Sequence, residues 1–194
     1  MGKYTIFSDV SKTIMDMLKA ELVPEPMSSA EHIGICYPNE RGNFTVGIHA
    51  YDFNEIKEMG TLPHQLLPGG YTRSAPVSYQ LSYFISVSSK AEEAVKAIEE
   101  SRIIGRILQI LNDCKNLPTK YMPEALRSTG EVIGLNMISL ELEEKIKIWS
   151  MYNEPYKQSV FFSVGPVPIE SAVITPPAKR VKKLVVDDKQ VVEE

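Results

Sequence analysis

Residues 77–89, VSYQLSYFISVSS, alternate as a strand does, yet they carry no Asp, Glu, Lys or Arg on either face. Val77, Tyr79, Leu81, Tyr83, Ile85 and Val87 fall on one side, with Ser78, Gln80, Ser82, Phe84, Ser86 and Ser88 on the other. Extended at ~3.3 Å per residue, the segment reaches about 40 Å, well beyond an ordinary strand. Segments 44–51 and 159–169 are equally free of charge. An antiparallel strand with one wet face usually shows charges on it, so something has to cover both sides of these strands. Charged residues make up 24 % of the chain. At that frequency six off-face positions stay uncharged roughly one time in five, and three such segments together are harder to dismiss. Two coverings are open: the chain's own helices and long loop, or neighbouring subunits that lie on the second face or extend a sheet edge.

Around these strands the pattern reads as α+β. The expectation is a single domain over 1–174 with a mixed or mainly antiparallel sheet of about five strands. A long helix and two shorter helices pack on it, and a charged, disordered C-terminal tail occupies 175–194. Ser8 or Asp9 is placed to cap a first helix whose stripe is Val10, Ile14, Met17, Leu18 and Leu22, and Pro24 and Pro26 stop it. Residues 33–37 and 44–53 read as a hairpin around PNERGN, with turn chemistry from Asn39, Gly42 and Asn43. The connection 54–76, rich in Gly and Pro, is expected to be weakly ordered. Ser89 and Glu92 form an S-x-x-E capping pattern that opens a long helix over about 90–112. Its second half, with Ile103, Ile104, Ile107, Leu108 and Leu111, should lie deep. Gly105 costs ~1 kcal/mol there relative to Ala unless a close neighbour needs the room, and close packing is the reading given to it. Residues 132–140 alternate as a further strand containing Gly134, and Ser139 is the candidate cap of the next helix.

That next helix, over 143–151, places Ile146 and the only Trp, Trp149, beside Glu143, Glu144, Lys145 and Lys147. Asn153, Pro155 and Tyr156 end it. Pro155 biases Glu154 away from helical angles, so the chain turns before Gln158 and runs extended through 159–169.

Several function classes fall away. Asp plus Glu outnumber Lys plus Arg, 25 to 21, which argues against a nucleic-acid partner. No signal peptide, lipid anchor or membrane-spanning run is evident, so a soluble chain and no membrane partner are expected. Cys36 and Cys114 lack CxxC spacing and read as buried reduced thiols of a cytosolic protein. No metal is expected, because His32, His49 and His64 stand apart from one another and from any Cys at ligand spacing; His32 and Cys36 are ~13 Å apart if extended. His49 and Asp52 point to opposite faces of a strand and form no dyad. Catalytic and cofactor-binding motifs are missing, and Glu92, Glu93, Glu99 and Glu100 read as a solvated helix face. The expectation is no catalysis, no catalytic residue and no cofactor. A run at 177–183, PAKRVKK, looks like an import signal but reads better as part of a solvated tail whose basic and acidic clusters pair with each other or with a neighbour.

The segment WSMYNEPYKQSVFFSVGPVPI at 149–169 resembles the closing segment of the cap, or tube-terminator, proteins of extracellular contractile injection systems, which are phage-tail-like particles of the antifeeding-prophage and virulence-cassette type. DVSKTIMDMLKAEL, VSYQLSYFISVSS and RIIGRILQILND followed by LP continue the similarity in the same order, over about residues 4–172. Many relatives carry a second domain after the closing strand, where this sequence has a short charged tail. The resemblance is to their N-terminal domain. It implies a structural protein that caps the inner tube, forms a sixfold ring with itself, and meets the last sheath layer. Trp149, Pro155, Tyr156 and Lys157, with Gly105, are then the motif residues, serving fold or partner contact. Assembly in the cytoplasm, followed by incorporation into the particle, goes with that reading. A small peptide-binding or regulatory module is the alternative, and a small-molecule enzyme comes behind it.

Overall fold

A computed structural model describes residues 4–57 and 64–177. Its elements are α1 (Ile6–Leu22), β1 (Ile33–Ile35), β2 (Val46–Glu55), β3 (Gln65–Leu66), β4 (Thr72–Arg73), β5 (Val77–Val87), α2 (Glu93–Asp113), α3 (Glu124–Arg127), β6 (Gly134–Met137), α4 (Leu142–Ser150), β7 (Ser159–Ile169) and β8 (Ile174–Thr175). Five strands form one mixed sheet in the order β1-β2-β5-β7-β6, and β3, β4 and β8 form a small second sheet. This is the α+β domain expected from the sequence.

The stripe on α1 dictates the main core. Val10, Ile14, Met17, Leu18 and Leu22 are all fully buried, against Ile48, Tyr83, Ile85 and Phe162 of the sheet and Ile103, Ile107, Ile110 and Leu111 of α2. One buried polar contact sits inside this layer: the Ser11 and Tyr83 hydroxyls are 2.8 Å apart. Burial pushes the Tyr83 pKa up to about 12, with the Ser11 hydrogen bond opposing the shift.

The opposite face is closed by a smaller aromatic cluster of Phe84, Trp149 and Phe161. There the covering comes from the chain's own α4, so no neighbouring subunit is needed over that part of the charge-free sheet. Serines complete the sealed strands: Ser78, Ser82, Ser86 and Ser163 are buried.

Local corrections to the sequence reading have physical causes. β1 pairs parallel to β2, Ile33 with Val46 and Ile35 with Ile48, so the expected hairpin is a crossover. Residues 36–45 carry a 3-10 turn at Pro38–Glu40 and bring the chain back to the same end of the sheet. Phe44 packs so closely on β1 that a Cβ on Gly34 would overlap its ring. Helix α1 starts before Ser8 and Asp9, at Ile6, with Thr5 as its cap residue and the Thr5 hydroxyl 3.1 Å from Asp9 Oδ2.

Ser89 does not cap α2, which begins at Glu93. Instead its N–H donates to Glu100 Oε1 at 2.9 Å and its hydroxyl to Glu99 Oε2, so these two acids clamp the β5–α2 connection and are not merely solvated. Ser139 does not cap α4; Glu141 does, in a capping box with Glu144. Ile110 is buried on α2 where Leu108 was expected, and Leu108 is exposed. The connection 54–76 is partly built into the small sheet, while its residues 58–63 lie outside the described residues. Most of the charged tail, 178–194, lies outside them too.

Gly105 departs furthest from its reading. It is exposed, and a Cβ added to it would meet nothing within 4 Å. Close packing within the chain is therefore not its role. Gly105→Ala should raise stability by about 0.5–1 kcal/mol through helix propensity, measured by urea denaturation.

Candidate functional site

The residues singled out by the resemblance converge at the exit of α4, with one exception. Trp149 is 1 % exposed at the last turn of the helix. Its ring packs on Phe84 with centroids 5.4 Å apart, and Phe84 stacks on Phe161 at 5.3 Å and 26°. The indole N–H donates to Ser159 Oγ at 3.0 Å, and the Ser159 hydroxyl donates to the Lys157 carbonyl at 2.6 Å. One polar chain thus links the helix, the turn and the first residue of β7.

The turn needs a reversal, and Asn153 supplies it with φ at 54°. Asparagine tolerates this left-handed geometry better than most residues. Pro155 is exposed, and Tyr156 and Lys157 are half-buried. The Lys157 ammonium lies 3.3 Å from Glu154 Oε2 and 5.8 Å from the Trp149 ring centroid. Tyr156 lines a shallow groove of about 440 Å³ with Leu108, Met137 and Ile138. Gly105 is not part of this assembly. It lines a separate groove of about 950 Å³ on the outer side of α2, with Val95, Ile98, Arg102 and Arg106.

The sequence reading missed the aromatic partners of Trp149. Tyr51 sits 5.9 Å from Phe84 and 6.0 Å from Phe161, and Tyr152 lies 6.3 Å from Phe84. A signal was present: Phe84 is the one large apolar residue on the serine side of 77–89. An aromatic alone on an uncharged polar face marks the point where another element docks.

Beside this cluster lies a buried polar network. His49, 1 % exposed, stands 2.7 Å from the Cys36 carbonyl through Nδ1 and 2.9 Å from Ser86 Oγ through Nε2. Neutral His49 therefore donates from Nδ1 and accepts the Ser86 proton at Nε2. Ser86 Oγ in turn accepts from the Arg41 guanidinium. The network ties residues 36–41, β2 and β5 together. Burial lowers the His49 pKa to about 4; the Cys36 hydrogen bond opposes the shift and the Arg41 charge reinforces it. Cys36 and Cys114 are free and only half-buried, and burial raises both thiols above their ordinary value. With both ring nitrogens occupied and its ring sealed under Phe84, His49 offers nothing to a substrate. His64 is exposed and far along the chain. Among the described residues no three His, Cys, Asp or Glu gather as a metal site, and no helix is long and apolar enough to cross a membrane.

Residues 9–183 match the Pvc16 N-terminal domain family. In fold, the chain is similar to the sheath/tube terminator of PVC, an extracellular contractile injection system, in its extended state. The TM-score is 0.62 and the identity 17 %, over 99 % of this chain and 67 % of that one. It is similar as well to the tube-terminating cap of the anti-feeding prophage, with a TM-score of 0.58 and 16 % identity, over 93 % of this chain and 60 % of that one. The chain therefore spans only about three fifths to two thirds of the length of these two structures. No curated protein matches it in sequence.

Two predictions follow from the geometry. Trp149→Ala should cost about 3–5 kcal/mol by emptying the centre of the second cluster. Lys157→Ala should cost less than about 1 kcal/mol, because its ion pair is partly exposed; equal losses in urea denaturation would overturn this ranking. The second concerns pH. His49 titrates near 4 in the folded chain and near the ordinary 6.5 when unfolded, so between these values the unfolded state binds the extra proton. Its contribution is fully present above about pH 6.5 and is lost as the pH falls toward 4. Urea midpoints should drop over that window, and His49→Gln should shrink the drop.

Proposed function

The chain belongs to the Pvc16 N-terminal domain family, and from that premise we propose that it is a structural assembly protein that caps the inner tube of a contractile injection system. The observation that carries this reading is the fold likeness to two tube terminators, which runs over nearly the whole chain. Its action is stoichiometric. Copies join into a ring, in a sixfold form, that seats on the growing tube end, blocks further addition and couples the tube to the last sheath layer. The partners in this reading are the chain itself, the inner tube protein and the sheath protein. Assembly takes place in the cytoplasm, after which the chain remains in the extracellular particle.

No turnover and no cofactor are part of the proposal. The occupied state of both His49 nitrogens supports that, since this buried imidazole is committed to holding β2 and β5 together. Surfaces suited to neighbours lie elsewhere. Val95 and Ile98 on α2, and Leu142 and Ile146 on α4, are 44–62 % exposed and present apolar side chains outward. Isolated exposed apolar residues are ordinary, but here they sit in pairs on the outer sides of two helices. The Trp149 turn serves mainly to hold α4 in place, with Tyr156 half-buried against its cluster and Pro155 as its outward member.

Assembling the particle with and without this chain tests the proposal. Without it, tubes imaged by electron microscopy should lack a terminal density and vary more widely in length; unchanged ends and lengths would sink the capping role. Light scattering on the purified chain tests the ring separately, and a strict monomer at every practical concentration, alone and on tubes, would remove it.

A further inference from the structure

Gly105 is the motif residue that the Trp149 turn leaves without a role. It lies on the outer side of α2 in a stripe of Val95, Ile98, Arg102, Gly105 and Gln109, whose alternating spacings of three and four residues keep it on one helix face. Ile103, Ile107 and Ile110 of the same helix already fill the core, so the domain does not need this stripe for its own packing. A groove of about 950 Å³ runs along it, and a Cβ on Gly105 would meet nothing within 4 Å. A glycine in an a/d-type seam with open space above it lets a second helix come close.

Helix α4 carries the other outward stripe, where Leu142 is 57 % and Ile146 44 % exposed. The two stripes lie on opposite faces of the sheet, because α2 packs on the Tyr83 side and α4 on the Phe84 side. They cannot meet within one chain. A contact between α2 of one copy and α4 of the next is heterologous, so each added copy still shows one free face of either kind until a ring closes.

Charge sets the direction of such a contact. α2 opens acidic, with Glu92 at its cap and Glu93 and Glu99 behind it around the single cation Lys96, and turns basic at Arg102 and Arg106. α4 also opens acidic, at Glu143 and Glu144, and turns basic at Lys145 and Lys147. Laid parallel, the helices would set acid on acid; laid antiparallel, each acidic end meets the other's basic part. At ~1.5 Å per residue, Arg102 stands about 6 Å beyond Ile98, and Leu142 the same distance before Ile146. Seating Ile98 on Ile146 therefore brings Arg102 to Glu143 and sets Leu142 beside Gly105. Among the described residues neither Arg102 nor Glu143 has an ion pair of its own. Resting on the ring reading above, we propose that the Val95 to Gln109 face of α2 docks antiparallel on the Leu142 and Ile146 face of α4 in the next copy, with Arg102 paired to Glu143 and Gly105 leaving room for Leu142.

Self-association of the full chain tests this, read by sedimentation or, where copies join only at tube ends, by terminal density in electron microscopy. Arg102→Glu and Glu143→Arg should each weaken association at least about tenfold, and the double variant R102E/E143R should recover most of it. Gly105→Leu should weaken it as much while the monomer unfolds in urea no earlier than the parent, since leucine favours helix over glycine. Association unmoved by all of these would overturn the contact and leave the ring standing. Loss with Arg102→Glu and Gly105→Leu but not with Glu143→Arg would overturn it too, because α2 would then face α2 across a two-fold axis. A strict monomer at every concentration, alone and on tubes, would remove the ring and this contact together.

Discussion

Two consecutive cross-strand pairs hold the domain together. Tyr83 stands opposite Phe162 and Phe84 opposite Phe161, so β5 and β7 stack aromatics on both faces of the sheet within one residue step. The first pair stacks at 5.6 Å and 16° under α1 and α2; the second stacks at 5.3 Å and 26° under α4. Neither strand has a face that can be left to water. Every larger feature answers that need: α1 and α2 on one side, Trp149 on the other, and a sheet order that puts β5 and β7 near the middle.

Sealing a strand pair on both faces makes every polar group inside it expensive unless it is bonded. The serines of β5 and β7 meet this through short links. Ser86 binds His49, Ser159 binds Trp149, and Ser82 bonds the Tyr51 hydroxyl. Serine is small enough to leave room for the aromatic layer and still carries a donor and an acceptor. The charge-free pattern and the serine-rich pattern are thus one adaptation. Charges are kept out because they would be buried, and hydroxyls are retained because they can be satisfied locally.

Features with a strict period were legible in the sequence. All five residues named for the α1 stripe are buried, with Ile6 added by the earlier helix start, and 159–169 was read with its observed bounds because Pro155 and a charge-free run leave few alternatives. Features that depend on which strand is the neighbour were not legible. A parallel β1–β2 pair and a hairpin show the same alternation, and Asn39, Gly42 and Asn43 serve a 3-10 turn as well as a tight one. Ser89 followed by Glu92 satisfies a capping pattern, but the deciding partners, Glu99 and Glu100, lie a further two turns on. The motif residues near Trp149 were found by resemblance, and the fold unites four of the five. Gly105 stands apart because a glycine in a helix looks the same whether it faces a packed neighbour or open space.

With the centre of the sheet fully used by the chain itself, what remains available to partners is peripheral. The outer sides of α2 and α4 lie at the rims of the domain, and their exposed apolar residues, Val95, Ile98, Leu142 and Ile146, are not part of the aromatic layer beneath. A change at the rim can therefore alter contacts without unsettling the core, whereas a change at Phe84 or Trp149 unsettles the platform on which the rim is displayed. In the proposed capping role, which needs surfaces held in a fixed arrangement, that separation matters more than any single contact. The rigid interior fixes the relative positions of α2, α4 and β2, and the surfaces they carry are free to be shaped by whatever they meet.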